Sequence, residues 1–177
     1  DFQRNRPAVI STFQDPDSLE TFTVVSVHFK SKGPSGLDSL QASVEAAVAA
    51  GGLTTSQQAA ADAFLADPNV DQGDGQGYWS GVRTDAASEL YAFLSDPVNG
   101  IDDWVVMGDY NAYTQEDPTQ ALAGQTDTVD LIDQFVGPDA YSFVFDGQRG
   151  ALDQVVASNS FEQNVTGLTE WHINADE

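Results

Sequence analysis

The chain has 177 residues, with 28 acidic and 6 basic side chains and a formal net charge of −22. That length suffices for one domain with its own core, and the charge describes a solvated surface suited to a salty habitat that repels nucleic acid at low salt. Cysteine is absent, which excludes thiol catalysis, thiolate metal sites and disulfides.

The first residue is Asp1 rather than Met, and the last is Glu177, so the span is expected to be a piece of a longer polypeptide. No apolar run reaches the length of a membrane span, and the N-terminus shows no signal-peptide pattern. Residues 8–13 (AVISTF) and 22–29 (FTVVSVHF) read as strands, with Asp15-Pro16-Asp17 as the turn between them. Ser35 and Asp38 form a capping-box pattern, and Leu37, Leu40, Val44, Ala47 and Val48 then follow helical spacing up to Gly51-Gly52. Thr55 with Gln58 opens a second, Ala-rich helix ending near Asp67-Pro68. A Gly- and Asp-rich loop follows at 67–77, where Asp67, Asn69 and Asp71 begin an EF-hand spacing that fails at Gln72 and Tyr78. A third helix is predicted over 79–95, with Val82, Ala86, Leu90, Phe93 and Leu94 on one stripe.

The run 103–107 reads as a buried strand, followed by a long loop from Gly108 to about Thr126 and a short helix near 128–135. Strands are predicted at 141–145, 151–157 and 169–174. Strands alternating with helices and followed by a late strand cluster indicate a layered α/β domain.

Four stretches carry candidate chemistry. In WVVMGDYNAY (104–113), Asp109 and Asn111 are two residues apart at a strand end, where side chains at i and i+2 share a side. A carboxylate there holds a hard cation or orients a water, and a carboxamide contacts a phosphate oxygen. The alternative is an Asx-turn that ends the strand. In VVSVHFKSKG (24–33), His28 and Lys30 share one face and suit an anionic oxygen, against a plain edge histidine and a solvated lysine turn. In ALDQVVAS (151–158), Asp153 sits in an apolar strand and needs a cationic, imidazole or metal partner, because burying an unpaired carboxylate is costly. Arg149 is the structural alternative. In EWHINADE (170–177), a regular strand would project His172, Asn174 and Asp176 into one space. Arg83 falls at the start of the third helix, where anions are favoured, or else serves as a surface partner for a carboxylate.

Together these stretches resemble the endonuclease/exonuclease/phosphatase superfamily, which includes pancreatic-type deoxyribonuclease and abasic-site endonucleases, and within it the large secreted nucleases of marine bacteria. The matching pieces, in the family's order, are NRPAVISTF (5–13), VHFKSKG (27–33), GDGQGYWSGVR (73–83), VVMGDYNAYTQEDP (105–118), YSFVFDGQRGALDQVVAS (141–158) and VTGLTEWHINADE (165–177). The resemblance implies a two-sheet sandwich flanked by helices, present in part because an N-terminal portion of the domain precedes Asp1. It also implies a site at one edge of the sheets and divalent-metal-dependent phosphodiester hydrolysis with Mg²⁺, or also Ca²⁺ or Mn²⁺. The implied substrate is nucleic acid, DNA or RNA, cleaved outside the cell, with no membrane partner.

By the same resemblance, His28 contacts the scissile phosphate or assists the leaving group. Asp109 positions the attacking water or binds metal, Asn111 holds a phosphate oxygen, and Asp153 orients the catalytic histidine. Lys30, Arg83 and Asn174 are the implied phosphate contacts. The sequence also departs from the family. The family's metal-binding Glu would lie upstream of Asp1, so the isolated span is expected to be inactive or nearly so. Gln154 stands where the subgroup carries His, and the family's Ser-Asp-His ending appears as Ala175-Asp176-Glu177. Two assignments of the end therefore stay open: His172 as general base, or Asp176 as metal ligand with His172 on phosphate. A phosphodiesterase for lipid or inositol phosphates and a catalytically dead phosphate-binding module are the competing readings.

Overall fold

A computed structural model describes residues 5–172 and Ala175. The chain is a mixed α/β structure with a five-stranded sheet, a two-stranded sheet and helices, the class and layering expected from sequence. The larger sheet has strand order β1-β2-β3-β7-β4, formed by β1 (Val9–Gln14), β2 (Thr21–His28), β3 (Trp104–Asp109), β4 (Thr128–Asp130) and β7 (Asp153–Ser158). Among the described residues, only the β2–β3 pair is parallel. A parallel pair needs a crossover connection, and here it carries three helices: α1 (Leu37–Ala50), α2 (Thr55–Leu65) and α3 (Ser80–Ser95). Among the described residues the further α-helices are α4 (Asp117–Ala123), α5 (Leu131–Phe135) and α6 (Asn159–Glu162), and β5 (Phe143–Phe145) with β6 (Gln148–Gly150) forms the small sheet.

The strand period of two sorts the large sheet into two faces. On one, Val25, Val27, Trp104, Val106 and Val156 pack against Ala87, Leu90 and Leu94 of α3 and Leu122 of α4. On the other, Val105 and Ala157 form a smaller cluster with Leu131 of α5, flanked by Val24, Val129, Val155, Phe161 and Leu168. Met107 on this face is 38% exposed, and every residue of the outer strand β1 is exposed.

Several local expectations change in the structure. Ser35 does not cap α1. It has a left-handed backbone, and its hydroxyl accepts from the Lys30 ammonium at 3.0 Å, while Gly36, also left-handed, is the residue that starts the helix. The capping box of α2 lies one residue earlier than predicted, between Thr54 and Gln57. The buried stripe of α3 is Arg83, Ala87, Leu90 and Leu94, and Phe93 faces outward. The predicted loop after Gly108 contains α4, which Pro118 starts by fitting a first-turn position that needs no backbone donor. The predicted helix over 128–135 begins instead as strand β4 before turning into α5. Residues 169–172 are not a strand, so the alternation that would align His172 with its neighbours is not formed there.

Candidate active site

The C-terminal ends of β2 and β3 and the start of β7 meet in one row. His28 pairs in register with Asp109, and Asp109 with Asp153. Directly opposed residues of neighbouring strands put their side chains on the same face. Histidine and two carboxylates are therefore brought together by strand register alone.

His28 Nε2 lies 3.4 Å from Asp109 Oδ2, with the imidazole 46% and the carboxylate 33% exposed. The other carboxylate oxygen, Oδ1, accepts the backbone N–H of Asn111 at 2.7 Å. This is the Asx-turn considered from sequence, and it coexists with the site because each oxygen of Asp109 has a separate task. Burial pushes the Asp109 carboxyl above the usual carboxylate range, and the charge of Asp153 adds to the rise. The Asn111 N–H, His28 and Arg6 act against it.

Asn111 is nearly buried and has a left-handed backbone, φ 48°. Its side-chain amide donates to the Phe29 carbonyl at 3.1 Å, so it fastens the β3 exit to the β2 exit. The strict i, i+2 alternation expected of Asp109 and Asn111 therefore ends at Asp109. Gly108 has φ 136°, and a Cβ there would collide with the Val27 backbone of the adjacent strand. Close strand approach is its reason for being glycine. Gln154 supports the same loop from below. It is fully buried, and its amide nitrogen donates to the carbonyls of Ala151 at 2.7 Å and Ala112 at 3.2 Å.

Asp153 is exposed, and its backbone N–H donates to Ser142 Oγ at 2.9 Å. The carboxylate that pairs with His28 is that of Asp109. Asp153 lines a cavity of about 630 Å³ together with Ser142, Glu170 and Trp171. His172 lies next to that segment. Its ring stacks on Tyr141 with centroids 3.8 Å apart, and its Nε2 is 3.6 Å from Glu170 Oε2. Glu170 in turn accepts from the Tyr141 N–H at 2.9 Å. His172 thus belongs to a Tyr141–Glu170 cluster rather than to the His28–Asp109 pair. Asn174 and Asp176 lie outside the described residues.

The two cations expected to bind phosphate are turned inward. Arg83 is fully buried and donates to three carbonyls, those of Lys30 (3.2 Å), Tyr78 (2.8 Å) and Gln76 (2.7 Å). It pins the Gly-rich loop to the end of β2 and presents no guanidinium to the surface. Lys30 is also nearly buried, with its ammonium on Ser35 Oγ and 5.5 Å from the centre of the Trp79 ring. Burial lowers its pKa, helped by the charges of Arg6 and Arg83. Strand alternation does not extend to Lys30, because β2 ends at His28.

The carboxylates of Asp109 and Asp153 form a hard-oxygen donor pair. Mg²⁺ is commonly held by one or two carboxylates, with water and phosphate oxygens filling the rest of its shell. Two opposed carboxylates in register fit such a cation, whose charge would offset the cost of keeping Asp109 ionised beside Asp153. Among the described residues there is no cluster of three or more His, Asp or Glu side chains arranged to hold a metal.

Three features escaped the sequence reading. Lys32 pairs with Glu116 and lies 4.5 Å over the Tyr113 ring. Gln154 fastens the site loop. Phe143 and Phe145 form a parallel exposed pair, for which the i, i+2 aromatic spacing in YSFVF was the available signal.

No family model and no curated protein matches the chain. Solved structures do. One is an endonuclease/exonuclease/phosphatase family protein from Bacteroides thetaiotaomicron, with a TM-score of 0.48, 11% identity, and coverage of 86% of this chain and 42% of that one. Another is the human Nocturnin catalytic domain with bound sulfate anion, with a TM-score of 0.46, 15% identity, and coverage of 86% and 41%. The chain therefore spans about two-fifths of the length of either structure.

Proposed function

We propose that this chain carries part of the active site of a phosphodiesterase acting on nucleic acid, DNA or RNA, and that the enzyme works outside the cell in saline surroundings. The observation that carries the reading is the in-register row of His28, Asp109 and Asp153 at the strand ends. The resemblance of six sequence stretches, in order, to one hydrolase superfamily supports it.

Asp109 Oδ2 lies 3.4 Å from His28 Nε2, and the half-exposed imidazole is within reach of a phosphate or leaving-group oxygen. The carboxylate stabilises the imidazolium formed when His28 takes up a proton, the ordinary role of a histidine–carboxylate pair. Asn111 and Gln154 fix the loop, so the carboxylate is preorganised rather than mobile. Asp109 and Asp153 would hold the divalent cation, Mg²⁺ in the first instance, with Ca²⁺ and Mn²⁺ as the other candidates. When bound, that ion supplies Lewis-acid stabilisation of phosphoryl oxygens and activation of water. The excess negative charge suits a medium in which salt screens it.

The test is hydrolysis of bis(4-nitrophenyl) phosphate and of plasmid DNA by the complete polypeptide, with and without EDTA. Cleavage that requires a divalent cation and is lost in Asp109→Ala is the expected result. Wild-type turnover unaffected by EDTA would remove the metal, and turnover of inositol phosphates with none of either phosphodiester would redirect the substrate class.

A further inference from the structure

The β2–β3 crossover contains a helical hairpin that the sheet does not cover. Helices α1 and α2 are joined through Gly51 and Gly52 and pack chiefly on each other. Neither has a buried side chain, whereas α3, α4 and α5 all do. Gln41 moors the hairpin to the following loop, donating to the Asp71 carbonyl at 3.2 Å and accepting from the Tyr78 hydroxyl at 2.9 Å. Helices of this length are marginal in water without tertiary packing. A groove of about 440 Å³ runs between them, lined among others by Val44, Ala47, Leu53, Ala60, Ala61 and Phe64. On α2, Gln57, Ala60, Ala61 and Phe64 stand at the i, i+3, i+4, i+7 spacing of a single helix stripe. Leu40, one turn before Val44 on the same face of α1, is 48% exposed.

The distribution of charge selects what can cover this stripe. Of the 28 acidic residues in the chain, Glu45 alone falls within 39–61, and no lysine, arginine or histidine does. Residues 46–61 are the longest run in the chain without a charged side chain. Two copies with a net charge of −22 repel each other wherever carboxylates face one another. The hairpin is the extended surface on which that repulsion is weakest. A nucleic acid or an anionic membrane would need cations there, and a basic protein would be drawn to the carboxylates elsewhere.

We propose that the α1–α2 hairpin is a homodimerisation surface, in which the groove of one copy takes Leu40 of the other and the two hairpins form a four-helix bundle about a two-fold axis. A two-fold contact needs only one self-complementary patch. Antiparallel helix pairs bury their apolar stripes in this way in bundles. The inference stands apart from the phosphodiesterase reading and does not depend on it.

The experiment is analytical ultracentrifugation of the complete polypeptide over a dilution series at low and at high NaCl. A dimer whose dissociation constant falls as salt rises is the expected result, because screening removes the mutual repulsion of two acidic chains and leaves apolar contact in place. Ala47 and Ala60 are exposed in the single chain. Ala47→Glu and Ala60→Glu are each expected to raise the dissociation constant at least about tenfold, since a two-fold interface meets every added carboxylate twice. Ala46→Glu adds the same charge on the opposite face of α1 and is expected to leave the dimer unchanged. A monomer at about 100 μM in both salts overturns the proposal. So does a dimer that persists in both groove variants, which puts the contact elsewhere, and so does a dimer that loosens as salt rises, which makes the contact ionic. Thermal melts of dilute, monomeric samples exclude a folding defect: both groove variants are expected to melt with the wild type. Melting several degrees lower in both would mean that the groove is covered within one chain, and the proposal falls.

Discussion

Asp109 and His28 occupy the same register position on neighbouring parallel strands, and their side chains meet at 3.4 Å between Oδ2 and Nε2. A parallel pair keeps its two C-terminal ends together, so both exits deliver polar groups to one edge of the sheet. The pair is half-exposed, in reach of a substrate, and its loop is fastened by the Asn111–Phe29 bond.

In the complete polypeptide, Asp109→Ala and His28→Ala are each expected to reduce phosphodiester cleavage by roughly a hundredfold or more, the range of lost acid–base or charge-stabilising groups. The double variant is expected to cost little beyond the worse single variant, because the residues act as one unit. Initial rates on plasmid DNA measure this. Additive losses would separate the two residues, and near-normal turnover in either would remove its role. His172, the general-base candidate, sits in its own Tyr141–Glu170 surroundings, and His172→Ala tests whether that cluster joins the reaction.

Burial, reinforced by Asp153, raises the Asp109 pKa in the native state. A carboxyl with a raised native pKa binds its proton more tightly folded than unfolded, so its contribution to stability falls as pH rises from about 3.9 through the native value. Ionised Asp109 is then a cost at neutral pH. Asp109→Asn, which keeps the acceptor for the Asn111 N–H, is expected to melt at a higher temperature than wild type at pH 7, with the difference closing near pH 3. Thermal melts across that range check it. The acidic limb of the activity profile is expected to lie above the ordinary carboxylate range for the same reason.

Arg83→Lys is expected to destabilise the fold by about 2–4 kcal/mol, because an ammonium cannot serve three separate carbonyls and leaves buried acceptors unmet. At this chain length that corresponds to a fall in melting temperature of about 4–16 °C. A variant that melts normally but binds DNA poorly would instead support the phosphate role expected from sequence.

Gly108→Ala is expected to cost about 2 kcal/mol or more, since its φ of 136° is strained for any side chain and the added methyl meets the Val27 backbone. Chemical denaturation measures the loss. A stable variant would mean that β2 and β3 can part locally without harm.

Salt is expected to raise the activity of the complete enzyme from low toward near-marine strength before lowering it. Screening relieves the repulsion between DNA and an acidic surface within a Debye length of roughly 10 Å at 0.1 M. With Lys30 and Arg83 buried, fewer cations contact phosphate, and the opposing loss by counterion release is shallower. A rate that falls steadily from the lowest salt contradicts this.

The α/β class, strands β1, β2, β3 and β7 to within about a residue or two at each end, and the candidacy of His28, Asp109 and Asp153 were legible in the residues alone. Those features are local: strand runs announce themselves by β-branched and aromatic content, and a charged side chain at the end of an apolar run needs a reason. Pairing across the sheet was decided only by tertiary structure. Register made Asp109 the partner of His28, and the two residues stand 81 positions apart in the chain. The fates of Arg83 and Lys30 were equally hidden. A cation at a helix start looks the same in sequence whether it meets solvent or three carbonyls from other segments, because the acceptors that draw Arg83 inward come from backbone brought near by folding. Phe143 and Phe145 show the reverse case: their shared side follows from strand period, but that they open onto the cavity beside Asn111 follows from where β5 is placed.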